Sequence, residues 1–222
     1  MSTTELTIAE QVETLNAGMA AQVPAEIMGA FATELGALAA AGLPDGLPTA
    51  GTPMPDGDLL DVHGAATTFE QARDGRPAVV VFYRGAWCPY CNLTLNTYQQ
   101  QLVPALEEQG VSLIAINPQK PDGSLTMQQS HALTYTVLSD PGNALAGKLG
   151  ILTAPIEDVR IASVAMGLDI PASNADGTDT MPMPTVLTVD AGGTIRWVDV
   201  HPNYATRSEP ADILAAVAEL PD

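Results

Sequence analysis

An α/β fold whose sheet holds a parallel strand–helix–strand unit is what this chain predicts, and three observations predict it. Ala78–Tyr83 (AVVVFY) and Val111–Ile116 (VSLIAI) are continuous apolar runs, the mark of strands covered on both faces. Between them Cys91, Leu95, Tyr98, Leu102 and Leu106 recur at helical spacing, so strand, long helix and strand form a parallel unit with a right-handed crossover. Further on, Thr185–Val189 and Thr194–Val200 flank Asp190-Ala191-Gly192-Gly193, a hairpin signal.

The elements follow in chain order. Thr7 and Glu10 have capping-box spacing, and Ile8, Val12, Leu15 and Met19 continue as one face of a first helix. A second helix starts at Pro24, carries the stripe Ile27, Phe31, Leu35 and Leu38, and stops at Gly42 and Pro44. Residues 42–57 (GLPDGLPTAGTPMPDG) are rich in Pro and Gly and read as a linker. A helical extension over 1–42 and a main domain over 43–222 are therefore expected. The two apolar stripes have to bury against either the main domain or a second copy of the chain, so a homodimer is one expectation they allow.

In the main domain, Leu59–Val62 is a short strand before a turn at His63-Gly64. The helix after AVVVFY runs from about Cys88 to Gln109, with a bend at Pro104. The region 117–183 is less regular. It holds a helix over Gly123–Ala132, a strand at Thr136–Leu138, a helix from Pro141 to Leu149 and a short one over Ala154–Ser163. Residues 171–182 (PASNADGTDTMP) read as a loop, and a helix over Glu209–Leu220 closes the chain. Strand–helix–strand, insertion, strand–hairpin–strand and helix is the thioredoxin arrangement. It places the end of AVVVFY, and the helix start behind it, at the sheet rim where open α/β folds hold their chemistry.

Composition narrows the function. With 222 residues, 46% of them apolar, the chain can bury the core of one good-sized domain plus an extension. A net charge of −18, from 8 basic against 26 acidic residues, repels nucleic acid and anionic lipid, so neither is an expected partner. No apolar run reaches the roughly 20 residues of a membrane span. The start MSTTELTIAEQ lacks a basic segment and an apolar core, so no signal peptide and a cytosolic location are expected. Nothing resembles a dinucleotide or phosphate loop, and no cofactor is implied.

The strongest signal is RGAWCPYC, Arg84 to Cys91, which holds the only two cysteines. A thiol reacts as its thiolate, and a helix N-terminus favours that anion through its dipole and free N–H groups. Cys88 falls where the helix begins, with Pro89 suited to the first helical position. Cys91 lies nearly one turn on, within reach for a local disulfide. Half of a zinc site is the alternative, but His63, His131 and His201 are scattered without ligand spacing. Two inert core cysteines are the other. On geometry alone Cys88, nearest the helix end, is the exposed nucleophile, while Cys91 joins the buried stripe.

With these residues in hand, the sequence resembles the peroxiredoxin-like branch of the alkyl hydroperoxide reductase / thiol-specific antioxidant family. The matching segments are FYRGAWCPYCNLTL, AINPQKPDGSL, VLSDPGNALAGKLGI, MPMPTVLTVDAGGTIRW and HPNYATRSEPADIL. The resemblance implies a thioredoxin-like fold with a peroxiredoxin-type insertion, and a thiol-dependent reduction of hydroperoxides. Two registers compete within it. In the peroxiredoxin pattern Pro-x-x-x-Thr-x-x-Cys, the Pro falls on Arg84, the Thr on Cys88 and the attacking Cys on Cys91. In the thioredoxin pattern Trp-Cys-x-x-Cys, the attacking sulfur is that of Cys88, and Met183-Pro184-Thr185 resembles the cis-proline loop that faces the disulfide.

The usual peroxiredoxin arginine falls at Pro184 and is absent. Arg84 either supplies that charge from the other side of the pocket or pairs with one of the many carboxylates. Trp87 and Tyr83, with Met183 and Pro184, are expected to wall the pocket. Tyr204 and Arg207 match the family's C-terminal pattern without a role that their spacing demands, and His131 and His201 are expected at the surface. The preferred reading is a peroxidase in which Cys91 attacks and Cys88 resolves, with a thioredoxin- or glutathione-type thiol as reductant. A protein disulfide reductase or isomerase working through Cys88 is the second reading. A redox-sensing interaction protein is the third.

Overall fold

The computed structural model describes residues 6–221, so the first five residues of the expected extension lie outside the described residues. The chain opens with α1 (Ile8–Gln22) and α2 (Ala25–Ala41), followed by β1 (Asp58–Leu60), β2 (Ala66–Thr68) and α3 (Phe69–Arg73). The central unit is β3 (Ala78–Phe82), α4 (Pro89–Gln101), α5 (Val103–Glu108) and β4 (Ser112–Asn117). Then come α6 (Pro121–Ser130), β5 (Thr136–Ser139), a 3₁₀ turn at Pro141–Asn143, α7 (Ala144–Lys148) and β6 (Leu152–Thr153). The chain ends through α8 (Glu157–Ala165), α9 (Ile170–Ser173), β7 (Met181–Pro182), β8 (Thr185–Val189), β9 (Ile195–Val200) and α10 (Pro210–Ala218).

The main sheet has seven strands in the order β2-β1-β5-β4-β3-β8-β9. β3, β4 and β5 run parallel, while β8 and β9 add on antiparallel, with Val80 opposite both Ile114 and Leu187. Alternation along β3 divides the core in two. Val79, Val81 and Tyr83 pack with Leu95, Tyr98 and Leu102 of the α4 region, whereas Ala78, Val80 and Phe82 pack with Phe69, Leu145 and Leu149. Every residue of β3 and β4 is buried, as expected for strands with a helix layer on each face.

The long central helix differs from its expected form. It breaks at Leu102, and Pro104 sits in the first turn of α5, where an N–H has no intrahelical acceptor to lose. The expected loop over 171–182 is also partly ordered. Its first residues complete α9, Asn174 donates to the carbonyls of Thr178 and Thr180, and its last two form β7, paired with β6. β2 and α3 have no counterpart in the sequence reading, because three- and five-residue elements are too short to show a period.

The extension folds onto its own chain. Thr7 and Glu10 form the expected capping box, and the next free N–H groups, of Ile8 and Ala9, donate to Glu209 at 2.9 Å each. A carboxylate there meets the positive end of the helix dipole. Ile8 and Val12 enter the core beside α4, each contributing roughly 1.5–3 kcal/mol by burial. In α2 the predicted stripe is only half-buried, and its one buried residue is Glu34. No described helix is long and apolar enough to cross a membrane.

Candidate active site

The site grows from the turn between β3 and α4. Leaving the sheet rim after Tyr83, the chain turns through Gly85, whose φ of +151° strains any other residue. A Cβ there would lie 2.6 Å from Trp87 Nε1 and 2.9 Å from the Gln119 carboxamide. Gln119 in turn accepts the Ala86 N–H at 2.6 Å, so the turn is fixed from the β4 side. Cys88 is the residue before the helix, with φ −86° and ψ 114°, and Pro89 is its first residue, as the sequence predicted.

Both sulfurs are free thiols, and both are inside the protein, at 1% exposure for Cys88 and 0% for Cys91. The expectation of an exposed Cys88 is therefore wrong. Trp87, Tyr204 and helices α1 and α2 cover the helix start that the sequence left open. A cavity of about 110 Å³ opens over Cys88, walled by Met19, Phe31, Trp87, Leu168 and Tyr204. Cys91 lies behind it, against Tyr83, Pro184 and Arg207.

Two guanidinium groups surround the sulfurs. Arg207 Nη2 donates to Cys91 Sγ at 3.4 Å, and its Nη1 is held by the carbonyls of Tyr204 and Thr206. Arg84 is 5% exposed, with its guanidinium carbon 3.9 Å from the Tyr204 ring centroid and 5.0 Å from that of Trp87. Its Nε donates to Met181 Sδ at 2.9 Å. Among the described residues no carboxylate forms an ion pair with either arginine, so in this acidic chain both keep their charge for the sulfurs.

The consequence is a divided pair. Burial opposes ionisation of Cys91 most strongly, but a hydrogen bond from Cys88, the Arg207 charge, the Arg84 backbone N–H and the Arg84 charge together bring its thiol down to about 5. Burial pushes the Cys88 thiol up, and so do its bond to Cys91 and the Cys91 charge. The two shifts run in opposite directions, which favours the anion at Cys91 and the proton at Cys88.

The remaining predicted residues are placed as follows. Tyr83 is buried beside Cys91, its hydroxyl accepting from Asn117 Nδ2 at 2.8 Å, and burial pushes its phenol up. Trp87 walls the cavity over Cys88. Met183 and Pro184 are buried, Pro184 beside Cys91. The described residues contain no cis peptide bond, so Met183-Pro184 does not form the expected cis-proline loop. The trans form, favoured by about 0.5–1 kcal/mol, carries the chain directly from β7 into β8. His201 is not a bare surface residue: its ring bonds Asp199 at 2.9 Å and Thr206 at 2.8 Å.

Arg207 is the residue whose part the sequence did not reveal. It lies 116 positions from Cys91, and only the return of the chain after β9 brings it there. A guanidinium is thus present beside the Cys91 sulfur from another segment, where Pro184 supplies none.

The sequence model of the AhpC/TSA family matches residues 50–198. A Mycobacterium tuberculosis protein named "Putative peroxiredoxin" is 30% identical over 93 residues, which are 42% of this chain and 58% of that protein. The chain thus matches little more than half the length of that relative. A peroxiredoxin-like protein from Aquifex aeolicus superposes with a TM-score of 0.61 at 15% identity, covering 79% of this chain and 89% of that one. Reduced Prx3 from Vibrio vulnificus, solved with hydrogen peroxide, gives 0.60 at 15% identity, covering 77% and 99%. At such identity the superpositions establish the thioredoxin-type fold of the peroxiredoxins, and the family match runs from before β1 into β9, through both cysteines. This chain belongs to the AhpC/TSA family.

Proposed function

We propose that the protein is a thiol peroxidase in which Cys91 attacks the peroxide and Cys88 resolves. The observation that carries this reading is Arg207 Nη2 at 3.4 Å from the Cys91 sulfur, the contact that favours a thiolate at this sulfur rather than at Cys88. Cys91 is also the position that the family register selects.

In the first step the Cys91 thiolate attacks one peroxide oxygen. The O–O bond breaks, its electron pair leaves with the second oxygen, which takes a proton, and the sulfur becomes a sulfenic acid. Arg207 and Arg84 favour the leaving oxyanion by their charge. Oxidation also changes Cys88. Two of the causes that hold its proton, the bond to the Cys91 anion and that anion's charge, disappear, while both arginines remain. Cys88 then loses its proton, attacks the sulfenic sulfur and expels water, leaving a Cys88–Cys91 disulfide. An external thiol of the thioredoxin or glutathione type supplies the two electrons that restore the pair.

The test sets hydrogen peroxide and alkyl hydroperoxide consumption beside insulin disulfide reduction, with dithiothreitol as common reductant. Peroxide turnover well above that of free cysteine is expected, with little insulin reduction. Insulin reduction with peroxide turnover no faster than a free thiol would transfer the site to the disulfide reductase reading.

A further inference from the structure

The second helix carries a carboxylate that the proposed chemistry does not use. Glu34 is 3% exposed on a helix whose other residues are at most half-buried. Its Oε1 accepts the Ile156 N–H at 2.8 Å and its Oε2 accepts the Tyr204 hydroxyl at 2.7 Å. A buried carboxylate without a cation is costly, and it persists here only with both oxygens bonded. Arg84 lies over the same Tyr204 ring, 3.9 Å from the centroid. Tyr204 also holds Arg207 through its carbonyl.

We propose that Glu34 is a positioning residue: by gripping the Tyr204 hydroxyl it fixes the ring on which the Arg84 guanidinium rests, and so sets the charge beside the two sulfurs from the N-terminal extension. The physical reason is that a phenol donating to a carboxylate gains electron density on its ring, and a desolvated guanidinium over that ring is held more tightly. Among the described residues Arg84 has no carboxylate partner, and the aromatic rings of Tyr204 and Trp87, with Met181 Sδ, are its contacts. On this account α2 belongs to the site itself. The inference rests on the reading of Cys91 as the reactive thiolate.

The test is the pH dependence of Cys91 alkylation by iodoacetamide in a Cys88→Ser background, for the parent, Glu34→Gln, Tyr204→Phe and the double variant. Gln keeps the shape of Glu34 and can bond both Ile156 and Tyr204, but its amide makes the phenol an acceptor. Each single variant is expected to raise the alkylation midpoint by about half a unit, and the double variant to move it no further than Tyr204→Phe alone. A fall in the Glu34→Gln midpoint would mean that the carboxylate acts directly on the sulfur by its charge, and an additive double variant that it does not work through Tyr204. An unchanged midpoint with a lowered melting temperature would reduce Glu34 to a packing role. Each of these overturns the inference. A parent midpoint near that of free cysteine would instead defeat the underlying assignment of the thiolate.

Discussion

Replacing Arg207 by Met removes the charge nearest Cys91 and keeps most of the side-chain bulk. The bond removed is 3.4 Å long and joins a cation to a buried sulfur. Hydrogen bonds to charged groups contribute about 1.5–3 kcal/mol, and 1.36 kcal/mol is one unit of pKa, so the Cys91 thiol should rise by about 1–2 units. Starting from about 5, the midpoint moves to about 6–7. At pH 6 the thiolate fraction then falls from about nine-tenths to between about one-half and one-tenth, while at pH 8.5 it hardly changes. Stopped-flow alkylation, or thiolate absorbance near 240 nm, reads this directly. The variant should therefore lose up to about tenfold in reactivity at pH 6 and recover as pH rises. A midpoint equal to that of the parent protein would refute the assignment of Arg207 as the principal charge on the sulfur. A loss of rate that is the same at every pH would place its effect on the leaving oxygen instead.

Two further outcomes follow from the same geometry. Gly85→Ala puts a Cβ against Trp87 and Gln119 at a φ that side chains avoid, so it should cost about 1–3 kcal/mol in chemical denaturation and slow peroxide turnover by shifting the Cys88 turn. The Cys91 thiol lies below its unfolded value, so the unfolded chain binds the extra proton between about pH 5 and the ordinary thiol range. The stability contributed by the thiolate is present at the upper end of that window and lost as pH falls towards 5. The melting temperature of the reduced protein, measured relative to Cys91→Ser, should therefore rise from pH 5.5 to 8, and a flat difference would count against the depressed thiol.

The parts of the fold legible in the sequence were those with a long period or a long apolar run. Ala78–Phe82 and Ser112–Asn117 were plain because a strand covered on both faces has to be apolar throughout. Thr185–Val189 was plain from the hairpin residues behind it, and Ile8–Gln22 from its capping box. The helix–strand junction at Cys88 was equally legible, since Pro89 marks the first turn and the two cysteines mark the chemistry. Burial of that junction was not. Whether a helix start is open depends on what packs over it, and the covering residues come from Met19, Phe31, Leu168 and Tyr204, far apart in the chain. The same limit hid Arg207 and Glu34. A charge whose counterpart in the site lies more than a hundred positions away looks, in a sequence, like any other surface charge.

The decisive point is which sulfur meets the peroxide. Cys88→Ser and Cys91→Ser proteins, each reduced and then treated with one equivalent of hydrogen peroxide in the presence of dimedone, answer this by mass spectrometry of the intact chain. The Cys88→Ser protein should carry one dimedone adduct, on Cys91, and the Cys91→Ser protein should remain a free thiol. An adduct on Cys88 in the Cys91→Ser protein, with none in its counterpart, would contradict the account.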